Sequence, residues 1–134
     1  MFGNNEVGTI QPIQKIAKIC HENNIIFHTD AVQVVGKIPV DVKELDVDLL
    51  SISSHKLHGP KGIGALFIKD GIKIDPMILG GGQEFRLRSG TENVANIVGF
   101  GQACEIAQNH LDQNILWIKK LQFQLVKKIL DEIP

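Results

Sequence analysis

Ser51-Ile52-Ser53-Ser54-His55-Lys56-Leu57-His58-Gly59-Pro60-Lys61-Gly62 is the stretch that decides how this chain folds. The run leading into it, Val47-Asp48-Leu49-Leu50-Ser51-Ile52, is short and almost continuously apolar, which predicts a buried strand. At its end two hydroxyls, an imidazole and an ammonium stand side by side, and Gly59-Pro60-Lys61-Gly62 then forces a turn. Ligands of open parallel sheets sit just beyond the carboxyl ends of the strands. Lys56 is therefore expected where a reactive amine is useful. A lysine desolvated beside another cation loses its proton more readily and can attack an aldehyde.

Upstream, Ile25-Ile26-Phe27-His28-Thr29-Asp30 repeats the pattern: three β-favouring apolar residues, then polar ones emerging at a strand end. Before it, Ile13, Ile16, Ala17, Ile19 and Cys20 recur at helical spacing, so residues 12–22 read as an amphipathic helix with Pro12 at its first position and Asn23-Asn24 as its stop. Gly3 to Gly8 reads as a loop at a strand end, and Val42 to Leu45 as one helical turn. Downstream, Ile63 to Ile68 reads as a strand closed by Asp70-Gly71. The glycine-rich loop Gly80-Gly81-Gly82-Gln83-Glu84 follows, and Thr91 is placed to cap the next helix. Gly99 and Gly101 inside that helix each cost about 1 kcal/mol against Ala, a cost that close packing can offset. A last helix runs from Leu111 to Ile129 with Ile115, Ile118, Leu125 and Ile129 on one stripe. Strands alternating with helices argue for an α/β fold with a mainly parallel sheet and flanking helices.

The chain has 134 residues and a formal net charge of -1, so no basic field points to nucleic acid. No apolar run approaches the ~20 residues a membrane helix needs, and no signal-peptide pattern opens the chain. Cys20 and Cys104 fall in helical patterns and read as buried reduced thiols, which suits a reducing compartment, the cytoplasm or an organellar matrix. Both ends read as cut: Gly3 follows Met1-Phe2 at once, and Pro134 ends a helical pattern that has nothing to pack on.

Asp30 and Lys56 end two different predicted strands. On parallel strands they share one sheet edge, and a carboxylate with an amine there suits pyridoxal 5'-phosphate. The amine condenses with its aldehyde, and the carboxylate keeps its pyridine nitrogen protonated. Gln33 could bond the phenolic oxygen, and Ser53 and His55 the phosphate. Taken alone, Asp30 can equally cap a helix and Lys56 can be a solvated loop residue. A metal site built from His28, Asp30, His55 and His58 is the rival, but His55-x-x-His58 lies in a turn rather than on a helix face. A phosphate loop at Gly59–Gly64 lacks the GxxxxGK[ST] order and precedes a strand.

Five motifs occur in register: Asn4-Asn5-Glu6-Val7-Gly8; His28-Thr29-Asp30-Ala31-Val32-Gln33; Ser51 through Gly64; Gly80-Gly81-Gly82-Gln83-Glu84; and Arg88-Ser89-Gly90-Thr91-Glu92-Asn93. Together they resemble the cysteine desulfurases of the NifS/IscS group, within the class V aminotransferase family, over about Phe2 to Ala107. The resemblance implies a fold type I pyridoxal 5'-phosphate enzyme, a homodimer that converts L-cysteine to L-alanine. It would pass the sulfur as a persulfide to an acceptor or scaffold protein for iron–sulfur cluster or thio-cofactor assembly. By that likeness Lys56 matches the Schiff-base lysine, Asp30 the partner of the pyridine nitrogen and Gln33 that of the phenolic oxygen. Ser53 and His55 match phosphate ligands, and Thr91 a threonine reaching the phosphate of the neighbouring subunit. Asn5 matches an asparagine near the substrate carboxylate. No metal ligand is implied.

Residues 1–108 then correspond to the central and C-terminal part of the cofactor-binding large domain, and residues 109–134 to a long helix leading towards a small domain. Neither Cys20 nor Cys104 lies in the small-residue loop that carries the family's nucleophile, and no segment matches the family's arginine for the substrate carboxylate. The chain alone is expected to be inactive. Alternatives on the same scaffold are a selenocysteine lyase or an aminotransferase; outside it, a non-catalytic fragment that binds a partner.

Overall fold

The computed structural model describes residues 1–133. Helix α1 (Ile13–Glu22) packs Ile13 and Ala17 inward, as the helical spacing predicts, with Pro12 as the N-cap residue rather than inside the helix. It stops where Asn24 takes a left-handed φ of 57°. Strands β1 (His28–Asp30), β2 (Leu49–Ser53) and β3 (Gly64–Ile68) form one sheet in the order β1-β2-β3. β1 and β2 are parallel, with His28 opposite Leu49 and Asp30 opposite Ser51. β3 runs antiparallel to β2, so this part of the α/β fold carries a mixed sheet rather than a purely parallel one.

The first strand lies further along the chain than the apolar run suggests. Ile25 and Ile26 are 56% and 57% exposed, and pairing begins only after Phe27, whose carbonyl accepts from the Asp48 and Leu49 N–H groups at 3.1 Å each. Among the described residues no strand pairs with residues 25 and 26, so β propensity alone does not draw them into the sheet. Between β1 and β2 a one-turn helix α2 (Val42–Leu45) forms because Asp41 caps it, its Oδ1 accepting from Lys43 N at 2.7 Å. α1, α2 and the turn after β1 enclose the main core. Phe2, Ile13, Ala31, Val34, Val47 and Leu50 are buried there.

Helix α3 (Val94–Asn109) is capped by Asn93, whose Oδ1 accepts from Asn96 N at 3.3 Å. Thr91, expected to be the cap, lies two residues too early, and asparagine is among the strongest N-cap residues. α3 covers a smaller core of Leu57, Phe100 and Ala103. Helix α4 (Leu111–Glu132) begins after His110 and buries none of its residues; the stripe that includes Ile118, Leu125 and Ile129 stays exposed. Among the described residues no helix is long and apolar enough to cross a membrane.

The amino-terminal edge of the sheet is held by a charged cluster that no sequence motif announces. His21 at the end of α1 places Nδ1 3.2 Å from Asp46 Oδ2 and Nε2 3.0 Å from Asp48 Oδ2. Asp48 Oδ2 also accepts from Phe27 N at 2.8 Å, and Lys69 just past β3 donates to Asp46 Oδ1 at 2.6 Å. One helix end and all three strands meet there.

Burial alone would push the Asp48 carboxyl up, but the Phe27 N–H and the His21 imidazole outweigh it and hold it low. The Lys69 bond likewise holds Asp46 low, and Asp46 holds Lys69 high. Depressed carboxylates stabilise the fold above their unfolded pKa of about 3.9 and lose that contribution as pH falls through the lower folded value. A raised lysine stabilises below about 10.4 and loses its contribution as pH rises through the folded value. Asp48→Ala strands the Phe27 N–H and should lower the unfolding free energy by about 2 kcal/mol. Urea titrations of wild type and variant should show the full gap at pH 7 and a shrinking one below about pH 4.

Candidate active site

Parallel pairing puts the carboxyl ends of β1 and β2 on one edge, and the ladder continues past Asp30, since Ala31 N donates to Ser51 O at 2.9 Å. Asp30 Oδ1 accepts from Val32 N at 2.8 Å, and that bond starts the turn carrying Gln33. Val34, buried at 5% exposure, anchors this turn, while Gln33 is half-buried and its Oε1 lies 3.4 Å from Lys37 Nζ. The Asp30 carbonyl in turn accepts from Phe2 N at 2.7 Å. This bond sets the Gly3–Ile10 hairpin beside the same edge. Within the hairpin Asn4 Oδ1 accepts from Glu6 N and Val7 N at 2.8 and 2.9 Å, and Asn5 is exposed.

β2 runs directly into a 3-10 turn, Ser54–Leu57. Residues three apart eclipse in such a turn, and here Ser54 and Leu57 are both buried. The intervening His55 and Lys56 are thereby left on the outer side, His55 exposed and Lys56 half-buried. Ser53 Oγ lies 2.8 Å from His55 Nδ1, a hydroxyl–imidazole pair directly before the lysine. His58 closes the turn in the left-handed conformation at φ 63°.

Asp30, Gln33, Ser53, His55 and Lys56 thus all come off the carboxyl edge of the β1–β2 pair, with the Asn5 hairpin alongside. Thr91 does not join them: it is exposed ahead of α3, and among the described residues no hydrogen bond ties it to that edge. Among the described residues no three His, Cys, Asp or Glu side chains converge as metal ligands. Burial pushes the Cys104 thiol up, away from the reactive thiolate.

An amine, a carboxylate and a hydroxyl–imidazole pair on one sheet edge are groups that would engage a phosphorylated heterocyclic aldehyde. The arrangement defines an α/β domain with these polar groups gathered at one edge of its sheet. The chain belongs to the aminotransferase class-V family, which it matches over residues 1–134. It is 53% identical over 134 residues to cysteine desulfurase IscS of Methanosarcina thermophila, covering 100% of this chain and 33% of that protein. A NifS-like protein from Rickettsia africae superposes with a TM-score of 0.93 at 44% identity, over 98% of this chain and 37% of the other. The structure titled SspA in complex with cysteine matches with a TM-score of 0.74 at 49% identity, over 78% of this chain and 30% of its own. The chain spans about a third of the length of the curated relatives it matches. Its fold is the corresponding part of the fold type I large domain in NifS-like structures, and enzymes of this family generally depend on pyridoxal 5'-phosphate.

Two buried hydroxyls are not signalled by the sequence: among the described residues Thr29 Oγ1 and Ser54 Oγ have no hydrogen-bond partner. Residue type alone cannot tell which serine of Ser51-x-Ser53-Ser54 turns inward. Burying an unpaired hydroxyl is unfavourable. Ser54→Ala should therefore leave stability unchanged or raise it by about 1 kcal/mol. A lower urea midpoint for the variant would contradict the unpaired geometry.

Proposed function

We propose that this chain supplies the lysine-bearing part of a pyridoxal 5'-phosphate-dependent cysteine desulfurase. The enzyme converts L-cysteine to L-alanine and hands the sulfur, as a persulfide, to an acceptor or scaffold protein for iron–sulfur cluster or thio-cofactor assembly. The observation that carries the reading is the parallel register of Asp30 with Ser51, which brings the carboxylate to the edge from which the Lys56 turn departs. The desulfurase names of relatives near 50% identity support the substrate and favour this reading over the other reactions of the scaffold.

The donor set fits the cofactor. When bound, it would supply an aldehyde to hold the substrate amine and a protonated ring to draw electrons from its α-carbon. Lys56 Nζ would hold the cofactor and, when free, would take and return the proton at the substrate α-carbon. Asp30 keeps the ring nitrogen protonated through a charge-assisted bond. Gln33 donates to the phenolic oxygen. Ser53 and His55, paired at 2.8 Å, would supply donors to the phosphate. Asn5 holds the substrate carboxylate. Thr91 serves the phosphate of a second subunit, which makes the working form a homodimer. Residues 1–108 are the cofactor-binding unit, and residues 109–134 lead towards a small domain.

The test is the visible absorption of the purified chain titrated with pyridoxal 5'-phosphate. Wild type should develop the band of lysine-bound cofactor, and Lys56→Ala should not. Asp30→Ala should weaken binding by about tenfold or more, the worth of a hydrogen bond to a charged group. Identical spectra for wild type and Lys56→Ala would remove the basis for the reading.

A further inference from the structure

The turn that carries Lys56 has little regular structure of its own. It is one 3-10 turn followed by Gly59-Pro60, and it is seated against one face of α3. The turn and the Gly59–Lys61 segment after it meet α3 at Asn96, Gly99 and Ala103, the three- and four-residue spacing that lines one side of a helix. Asn96 Nδ2 donates to the Lys61 carbonyl at 3.4 Å. A Cβ on Gly99 would stand 2.7 Å from Cγ and 3.2 Å from Cδ of Pro60. A Cβ on Gly59 would stand 3.0 Å from that of Ala103. Leu57, directly after the lysine, is buried with Phe100 and Ala103.

Two glycines of α3 set each other off. Both lie inside the helix, where glycine is unfavourable. Around Gly101 there is nothing within 4 Å of an added Cβ, whereas Gly99 is pressed on the Pro60 ring. That ring is fixed to the backbone and cannot rotate away. Adding one methyl at Gly99 must therefore move either α3 or the Gly59-Pro60 segment, four residues from the lysine.

We infer that Gly99 and Ala103 are positioning residues for Lys56: α3 acts as the template against which the lysine turn is set, through the Gly99–Pro60 contact. The inference rests on the cofactor reading above, and the test separates the two. The intact chain is incubated with pyridoxal 5'-phosphate, reduced with borohydride and digested, and the pyridoxyl label on Lys56 is measured by mass spectrometry against that on the other lysines. Circular dichroism and melting temperature are followed in parallel.

Absence of label on Lys56 in wild type would overturn the cofactor reading and this inference with it. Given labelling in wild type, Gly99→Ala should reduce the Lys56 label at least about tenfold, because displacements near 1 Å weigh heavily on reacting groups. Helical content should be kept. Gly101→Ala should label like wild type and melt no lower. Pro60→Ala combined with Gly99→Ala should label more than Gly99→Ala alone, since the obstructing ring is gone. Wild-type labelling in Gly99→Ala, an equal loss in Gly101→Ala, or no recovery in the double variant would each overturn the inference while leaving the cofactor reading intact.

Discussion

The parallel ladder between β1 and β2 is the constraint from which the rest follows. Three residue pairs, His28–Leu49, Thr29–Leu50 and Asp30–Ser51, fix direction and register together. Parallel direction brings both carboxyl ends to one edge. Because side chains alternate with period 2, a slip of one residue would turn Thr29 outward and bury its polar neighbours His28 and Asp30. Thr29, at 1% exposure, and Leu50, at 4%, sit paired in the middle of this ladder, so burial defends the register that places Asp30.

The two ends of this short sheet do different work. At the amino-terminal edge His21, Asp46, Asp48 and Lys69 are satisfied by one another and by the Phe27 N–H, so their charge is spent on holding α1 and three strands together. At the carboxyl edge the polar groups are less committed. Lys56 and His55 face outward, and Asp30 spends one oxygen on the Val32 N–H. Groups already paired inside a fold are poor ligands; groups held in place but only partly paired can bind. That contrast, more than the residue types, separates a structural cluster from a candidate site here.

α3 and α4 carry a third kind of surface. Ile97, Val98 and Ile106 on α3 and Leu116, Trp117 and Phe123 on α4 are all exposed, although their residue types favour burial. α3 uses one narrow face, with Gly99 and Ala103 admitting the lysine turn closely, and leaves the rest uncovered. The apolar stripe of α4 has the right spacing for a helix, yet only Ile115 of it is even half-buried and none is buried, so periodicity there predicted the element and not its packing.

Much of this was legible in sequence because it is local chemistry. Helical spacing located α1 and the last two helices, Asn24 ended α1, and the abrupt change from an apolar run to Ser53-Ser54-His55-Lys56 located β2 and the turn after it. Reading failed where neighbours decide. The isoleucines before Phe27 have high strand propensity and no strand to pair with, and Asn93 rather than Thr91 caps α3 because the helix starts one residue after it. By itself the sequence determined which groups are available, an amine, a carboxylate and a hydroxyl–imidazole pair, and that each would stand near the end of a strand. Only the tertiary structure decided that β1 and β2 run the same way while β3 runs against them, that Ser54 turns inward while Lys56 turns out, and that Gly99 rather than Gly101 is the glycine α3 requires. These outcomes depend on atoms tens of residues apart meeting in space, and no local pattern encodes such meetings.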